Sequence, residues 1–151
     1  MSADSRSAAA LGRESLADIA ESALECARRL GSSAADVEVS SSEGLNVTAR
    51  LGEVETIEFN RDKGLGITVY VGQSRGNAST TDFSAEAVQR TVEAALAIAR
   101  HTAPDPFAGL PERALHPAAP FRDCDLYHPW ALDTEAAIAL CKRMEKAGMA
   151  V

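Results

Sequence analysis

The sequence predicts an α+β fold in two layers, a mainly antiparallel β-meander of about five strands with helices packed on one face. Period-two alternation of apolar and polar residues runs from Glu43 to Asp82. Leu45, Val47, Ala49 and Leu51 oppose Asn46, Thr48 and Arg50, and the pattern returns at Ile57 and Phe59 and again at Leu65, Ile67, Val69 and Val71. Glycines at 44, 52, 64, 72 and 76 follow or interrupt these runs, where a reversing backbone often needs positive φ. Helical stripes flank the strand region instead of alternating with single strands, which argues against a parallel βαβ arrangement.

The elements follow in order. Residues 1–14 read as a disordered lead. A helix is expected from Ser15, with Ser15 as cap, Asp18 in a capping box, and Leu16, Ile19, Ala20, Ala23, Leu24, Ala27 and Leu30 as its apolar stripe. Arg28 and Arg29 suit the negative end of its dipole, and Gly31 supplies the stop. A first strand, Asp36 to Ser40, turns Val37 and Val39 inward, and the meander follows. Ser84 opens a second helix that runs to about His101, its buried stripe being Ala85, Val88, Val92, Ala95, Leu96 and Ala99. All the prolines fall between Pro104 and Pro129, so this stretch is read as extended or looped. Phe107, Leu110, Leu115, Phe121, Leu126, Tyr127 and Trp130 are expected to pin it to the domain. Asp133 caps a third helix through Ile138, Leu140, Cys141 and Met144 to Gly148. The expected organisation is a lead over 1–14, an α+β domain over 15–103, a Pro-rich loop packed on it over 104–131, and a helix over 132–151 leading toward a further C-terminal region.

Size and charge narrow the function classes. A chain of 151 residues with 46% hydrophobic content can bury a core without disulfides or metal. Its net charge of −7 and pI near 4.9 argue against direct nucleic-acid binding, and no Lys/Arg run offers a local basic patch. No apolar stretch approaches the roughly 20 residues that span a bilayer, and the N-terminus lacks a secretory signal, so a cytoplasmic location away from the membrane is expected. Cys26, Cys124 and Cys141 are odd in number and widely spaced, which implies free thiols.

Motifs for chemistry are sparse. There is no HExxH or HExxxH, no GxSxG and no Walker loop. Asp123, Cys124, Asp125 and His128 cluster in the Pro-rich loop, where solvated charge is the better reading than a metal site. The GLG at 64–66 precedes ITVYVG, a strand, whereas a dinucleotide fingerprint requires a helix there, so these glycines are assigned to a tight turn and a close backbone neighbour. Glu53, Glu55, Glu58 and Asn60 mark a polar strand edge that can face a peptide or partner, Glu53 and Glu55 on one strand face and Glu58 on the other. No catalytic, cofactor-binding or metal-binding residue is assigned.

Beyond periodicity, the run RLGEVETIEFNRDKGLGITVYVGQSRGNASTTDFS, the helix AVQRTVEAALAIARHT, the following PDPFAGLPE and then DLYHPW resemble the N-terminal region of the TldD/PmbA family. The resemblance covers roughly Asp36 to Trp130, and the EFN and LGITVY segments are similar to its PmbA-type (TldE-type) branch. It implies a cytosolic protein of a metallopeptidase family that matures a peptide antibiotic and degrades an antitoxin. It also implies a TldD-like partner subunit that carries the zinc-binding HExxxH helix, and an unfolded peptide as substrate. This chain is then a non-catalytic scaffold or binding domain with no cofactor of its own. The alternative is a regulatory protein-binding module that modulates DNA gyrase without a protease role.

Overall fold

The structure is a computed structural model that describes residues 13–117, 122, 124–126, 128 and 130–150. Three helices and three strands follow in the order α1 (Arg13–Arg29), β1 (Ala34–Arg50), β2 (Glu53–Val71), β3 (Ser74–Thr80), α2 (Ala85–His101) and α3 (Thr134–Met149), with a short 3-10 turn at Arg113–Leu115. The sheet has the order β1-β2-β3. Two-residue connections between successive strands leave only antiparallel pairing open to them. The fold is therefore α+β with an antiparallel sheet, as expected, but with three strands in place of five.

The lost turns have a physical explanation. Among the described glycines only Gly31, Gly52 and Gly72 take positive φ, and Leu51 takes it beside Gly52 at φ 55. Gly44 lies within β1, and Gly64 within β2. Glycine permits a reversal but does not impose one, and both strands continue through it. The strands expected at Asp36–Ser40 and Leu45–Leu51 are thus one long β1, and the next two are one long β2.

By contact, the chain divides into two compact units, one up to Ser42 with Asp62–His116, the other Glu43–Arg61 with Pro117–Val151. In the first unit α1 and α2 cover one face of the sheet. Leu65, Ile67 and Val69 of β2 meet Ala23, Cys26 and Ala27 of α1 and Val88, Val92, Ala95, Leu96 and Ala99 of α2 in one buried cluster, with Val37, Val39 and Ala78 packed against it. The β2–β3 register pairs Leu65 with Thr80, Ile67 with Ala78 and Val69 with Gly76, which puts these residues on the helix-covered face. Gly66, Thr68, Asn77 and Ser79 therefore face the other way.

The helix ends largely follow the local signals. Ser84 caps α2 by accepting from the Ala87 N–H at 3.3 Å, and Gly31 ends α1 with φ +93. Arg100 of α2 donates to the Leu30 carbonyl at 3.3 Å, tying the end of α1 to its neighbour. Two details depart from expectation. Helix α1 begins at Arg13, so Ser15 sits inside it and cannot cap, and Ala85 is exposed while Ala87 and Thr91 join the buried face of α2. The polar Thr91 is accommodated because its hydroxyl donates to the Ala87 carbonyl at 2.7 Å.

In the second unit the outer half of the β1–β2 hairpin lies with α3. Asp133 caps that helix by accepting from the Ala136 N–H at 2.7 Å, Ala137 is buried, and the Cys141 thiol donates to the Val47 carbonyl at 3.4 Å. The loop side chains do not pin: Phe107 is 94% exposed, and Leu115, Leu126 and Trp130 are also largely exposed. Pro104, Pro106, Pro111 and Pro117 remove N–H donors and fix φ, which leaves few ways to fold those side chains inward. Phe121 and Tyr127 lie outside the described residues. Among the described residues no helix is long and apolar enough to cross a membrane.

Candidate functional site

Two surfaces carry polar groups in an organised setting, one in each unit. The first is the outer half of β2. Strand β3 pairs only with Leu65–Val71, so β2 from Glu53 to Gly64 lacks a β3 partner and has the backbone of β1 on one side. Glu53, Glu55, Glu58 and Asn60 all lie on this segment and all are exposed. Alternation sends Glu53 and Glu55 to one face and Glu58 and Asn60 to the other. Arg50 stands 3.7 Å from Glu55, and Arg61 pairs with Glu43 at 2.9 Å. Ile57 and Phe59 remain exposed, with the Arg61 guanidinium 5.9 Å from the Phe59 ring centre. A strand edge that lacks a neighbour offers backbone donors and acceptors to an extended peptide, and carboxylates beside it discourage pairing with another copy.

The hairpin tip is held by a residue that pattern reading did not single out. Leu51 and Gly52 both take positive φ, the signature of a tight two-residue hairpin turn. The Leu51 N–H donates to Glu145 Oε1 at 2.5 Å and the Gly52 N–H to Oε2 at 2.9 Å, so one carboxylate of α3 satisfies both turn amides. The signal for it in sequence is faint, since it consists of a two-residue turn with free amides and an acidic residue more than ninety positions later. Leu51, Gly52, Lys142, Glu145, Lys146, Met149 and Ala150 border a cavity of about 580 Å³ at this tip.

The second surface lies in the first unit on the uncovered sheet face. Glu38 and Ser40 of β1, Gly64, Leu65 and Gly66 of β2, and Ser79, Thr80 and Thr81 at the end of β3 line a trough of about 540 Å³. Gly64 and Gly66 form its floor. The GLG segment therefore makes no turn and, like the ITVYV run after it, belongs to a continuous strand, which agrees with its exclusion as a nucleotide loop.

The loop cluster is open. His128 Nε2 lies 4.0 Å from Asp125 Oδ2, Cys124 is exposed, and Asp123 lies outside the described residues. Among the described residues no group of three or more His, Cys, Asp or Glu side chains is placed to hold an ion together. The surroundings of Asp82 favour its charged form. There the Ser84 backbone N–H, donating at 2.9 Å, and the Ser84 hydroxyl hold the carboxyl below its ordinary value, with Lys63 and Arg90 adding weaker attraction. This group organises the start of α2 and faces no cavity described above.

Comparison with known proteins decides the family. Residues 35–99 match the family PmbA/TldA metallopeptidase domain 1. Metalloprotease PmbA of Escherichia coli O157:H7 is 46% identical over 137 residues, which is 91% of this chain and 30% of that protein. The chain belongs to the PmbA/TldE-type proteins. A PmbA homologue from Haemophilus influenzae, also a metalloprotease by name, is 46% identical over 127 residues, covering 84% of this chain and 28% of its own length. TldE from Thermococcus kodakarensis shares the fold, with a TM-score of 0.58 at 18% identity over 74% of this chain and 25% of that one. The chain thus spans about 30% of the length of the PmbA relative it matches over 91% of its own length. The EFN and LGITVY segments that carry the resemblance form the middle and inner part of β2.

Proposed function

We propose that this chain is the N-terminal domain of a PmbA/TldE-type subunit in a cytoplasmic TldD/PmbA metallopeptidase complex. In that complex it is non-catalytic and contributes scaffold and peptide or partner binding, while zinc resides in the TldD-type partner. The observation that carries the reading is the family membership combined with the polar outer edge of β2 at Glu53–Asn60, a place where an extended substrate can add as a strand. Proteolysis, peptide-antibiotic maturation and antitoxin degradation are then activities of the complex.

The test is to mix the chain, and separately a full-length PmbA-type subunit, with a TldD-like subunit and to follow association and cleavage of an unfolded peptide with and without chelator. The reading expects chelator-sensitive cleavage that needs the PmbA-type subunit, with binding mapped to this domain. Absence of both association and cleavage would sink it. The net charge of −7 favours a second reading, a module that engages a basic surface on DNA gyrase. Capture of gyrase at moderate salt without any TldD-like subunit would favour that reading.

A further inference from the structure

Strand interiors seldom use glycine without a reason, because it adds no packing and loses the most backbone freedom on folding. Gly76 in the same sheet has such a reason, since a Cβ there would lie 2.2 Å from the Ala95 carbonyl oxygen. Gly66 has none among the described residues. A Cβ built on it meets nothing within 4 Å, one on Gly64 meets only the Ser40 hydroxyl at an ordinary 3.8 Å, and neither residue takes positive φ. The bare floor of the trough is therefore unexplained by the fold's own packing. Close approach of a backbone from outside explains it.

The walls say what that backbone carries. The trough presents the Glu38 carboxylate, the hydroxyls of Ser40, Ser79 and Thr81, and no cation among its lining residues; the Thr80 hydroxyl is turned away and accepts from the Asp82 N–H at 3.0 Å. Glu38 has no ion-pair partner among the described residues. The neighbouring Lys63 is engaged elsewhere, its ammonium 5.0 Å from the ring centre of Phe83, which packs against the core. A carboxylate backed by hydroxyl acceptors complements a guanidinium or ammonium group.

We propose that this trough docks a basic segment of a partner protein, its backbone crossing β2 at Gly66 and an Arg or Lys side chain reaching Glu38. The site is separate from the strand edge at Glu53–Asn60 and does not depend on the protease reading.

The test is amide-shift mapping on the whole chain with a short Arg/Gly peptide and with its Glu/Gly counterpart. The Arg peptide is expected to shift the amides of Glu38–Ser40, Gly64–Gly66 and Ser79–Thr81, and the Glu peptide to leave them in place. Gly66→Val, which fills the floor, should weaken binding at least about tenfold, and Glu38→Gln by about threefold or more, with melting curves showing both variants folded. Gly66→Ser serves where the larger side chain disturbs the strand. No shift in the trough, equal shifts with both peptides, or unchanged affinity in a folded Gly66 variant would overturn the proposal. Self-association of the chain that disappears in Gly66→Val would overturn it too, because the occupant would then be a second copy.

Discussion

Gly76 of β3 and Ala95 of α2 approach so closely that a single methyl group on the glycine would sit 2.2 Å from the alanine carbonyl oxygen and 2.4 Å from the Ala99 nitrogen. Both obstacles are helix backbone, which cannot rotate away as a side chain can. Small residues at 95 and 99 on the helix and no side chain at 76 on the strand let the two elements touch. Gly76→Ala should therefore destabilise the chain by about 3 kcal/mol, more than overpacking usually costs at a site with flexible neighbours. Urea unfolding with an unchanged m-value would check it, and a loss below about 0.5 kcal/mol would show that the contact is looser.

The hairpin tip should respond in opposite directions to two substitutions. Leu51 holds φ 55 and is 76% exposed, so it bears the strain of a left-handed conformation for little burial. Leu51→Asn creates the Asn-Gly pair that such turns favour and should raise stability by about 1 kcal/mol in chemical denaturation.

Glu145→Gln removes the charge that both turn amides address. Hydrogen exchange at Leu51 and Gly52 should quicken by about tenfold, while the amides of Leu65–Val71 keep their protection. Unchanged exchange at the tip would mean that the turn geometry holds without the carboxylate.

Ser84→Ala should cost about 1 kcal/mol, the usual effect of losing an N-cap, and should fray the first turn of α2 in amide exchange.

The Asp82 carboxyl has a folded-state pKa below its unfolded value near 3.8, because the Ser84 N–H stabilises the charged form. Its contribution is present in full above the unfolded value and is lost as the pH falls through the folded one. A carboxyl-carbon NMR titration should show a midpoint below 3.8, with the Ser84 amide shift following the same curve. In Asp82→Asn that pH-dependent movement of the Ser84 amide should vanish.

The alternation at 65–71, the caps at Ser84 and Asp133 and the stop at Gly31 were legible because each depends on a few neighbouring residues. The family was pointed to separately, by the resemblance that the EFN and LGITVY segments carry. Strand number was not legible. A glycine within an alternating run reads the same whether the chain turns there or passes straight on, and the choice depends on what lies across the sheet. Gly52 and Gly72 turn, Gly44 and Gly64 do not, and Gly76 serves to admit α2. The polar edge at Glu53–Asn60 could be named from its charges, but that β3 stops short of it emerges only from the pairing register. Glu145 and the trough over Gly66 were out of reach for the same reason. Each is built from residues far apart in the chain, and their meeting is an outcome of packing that no short window of sequence encodes.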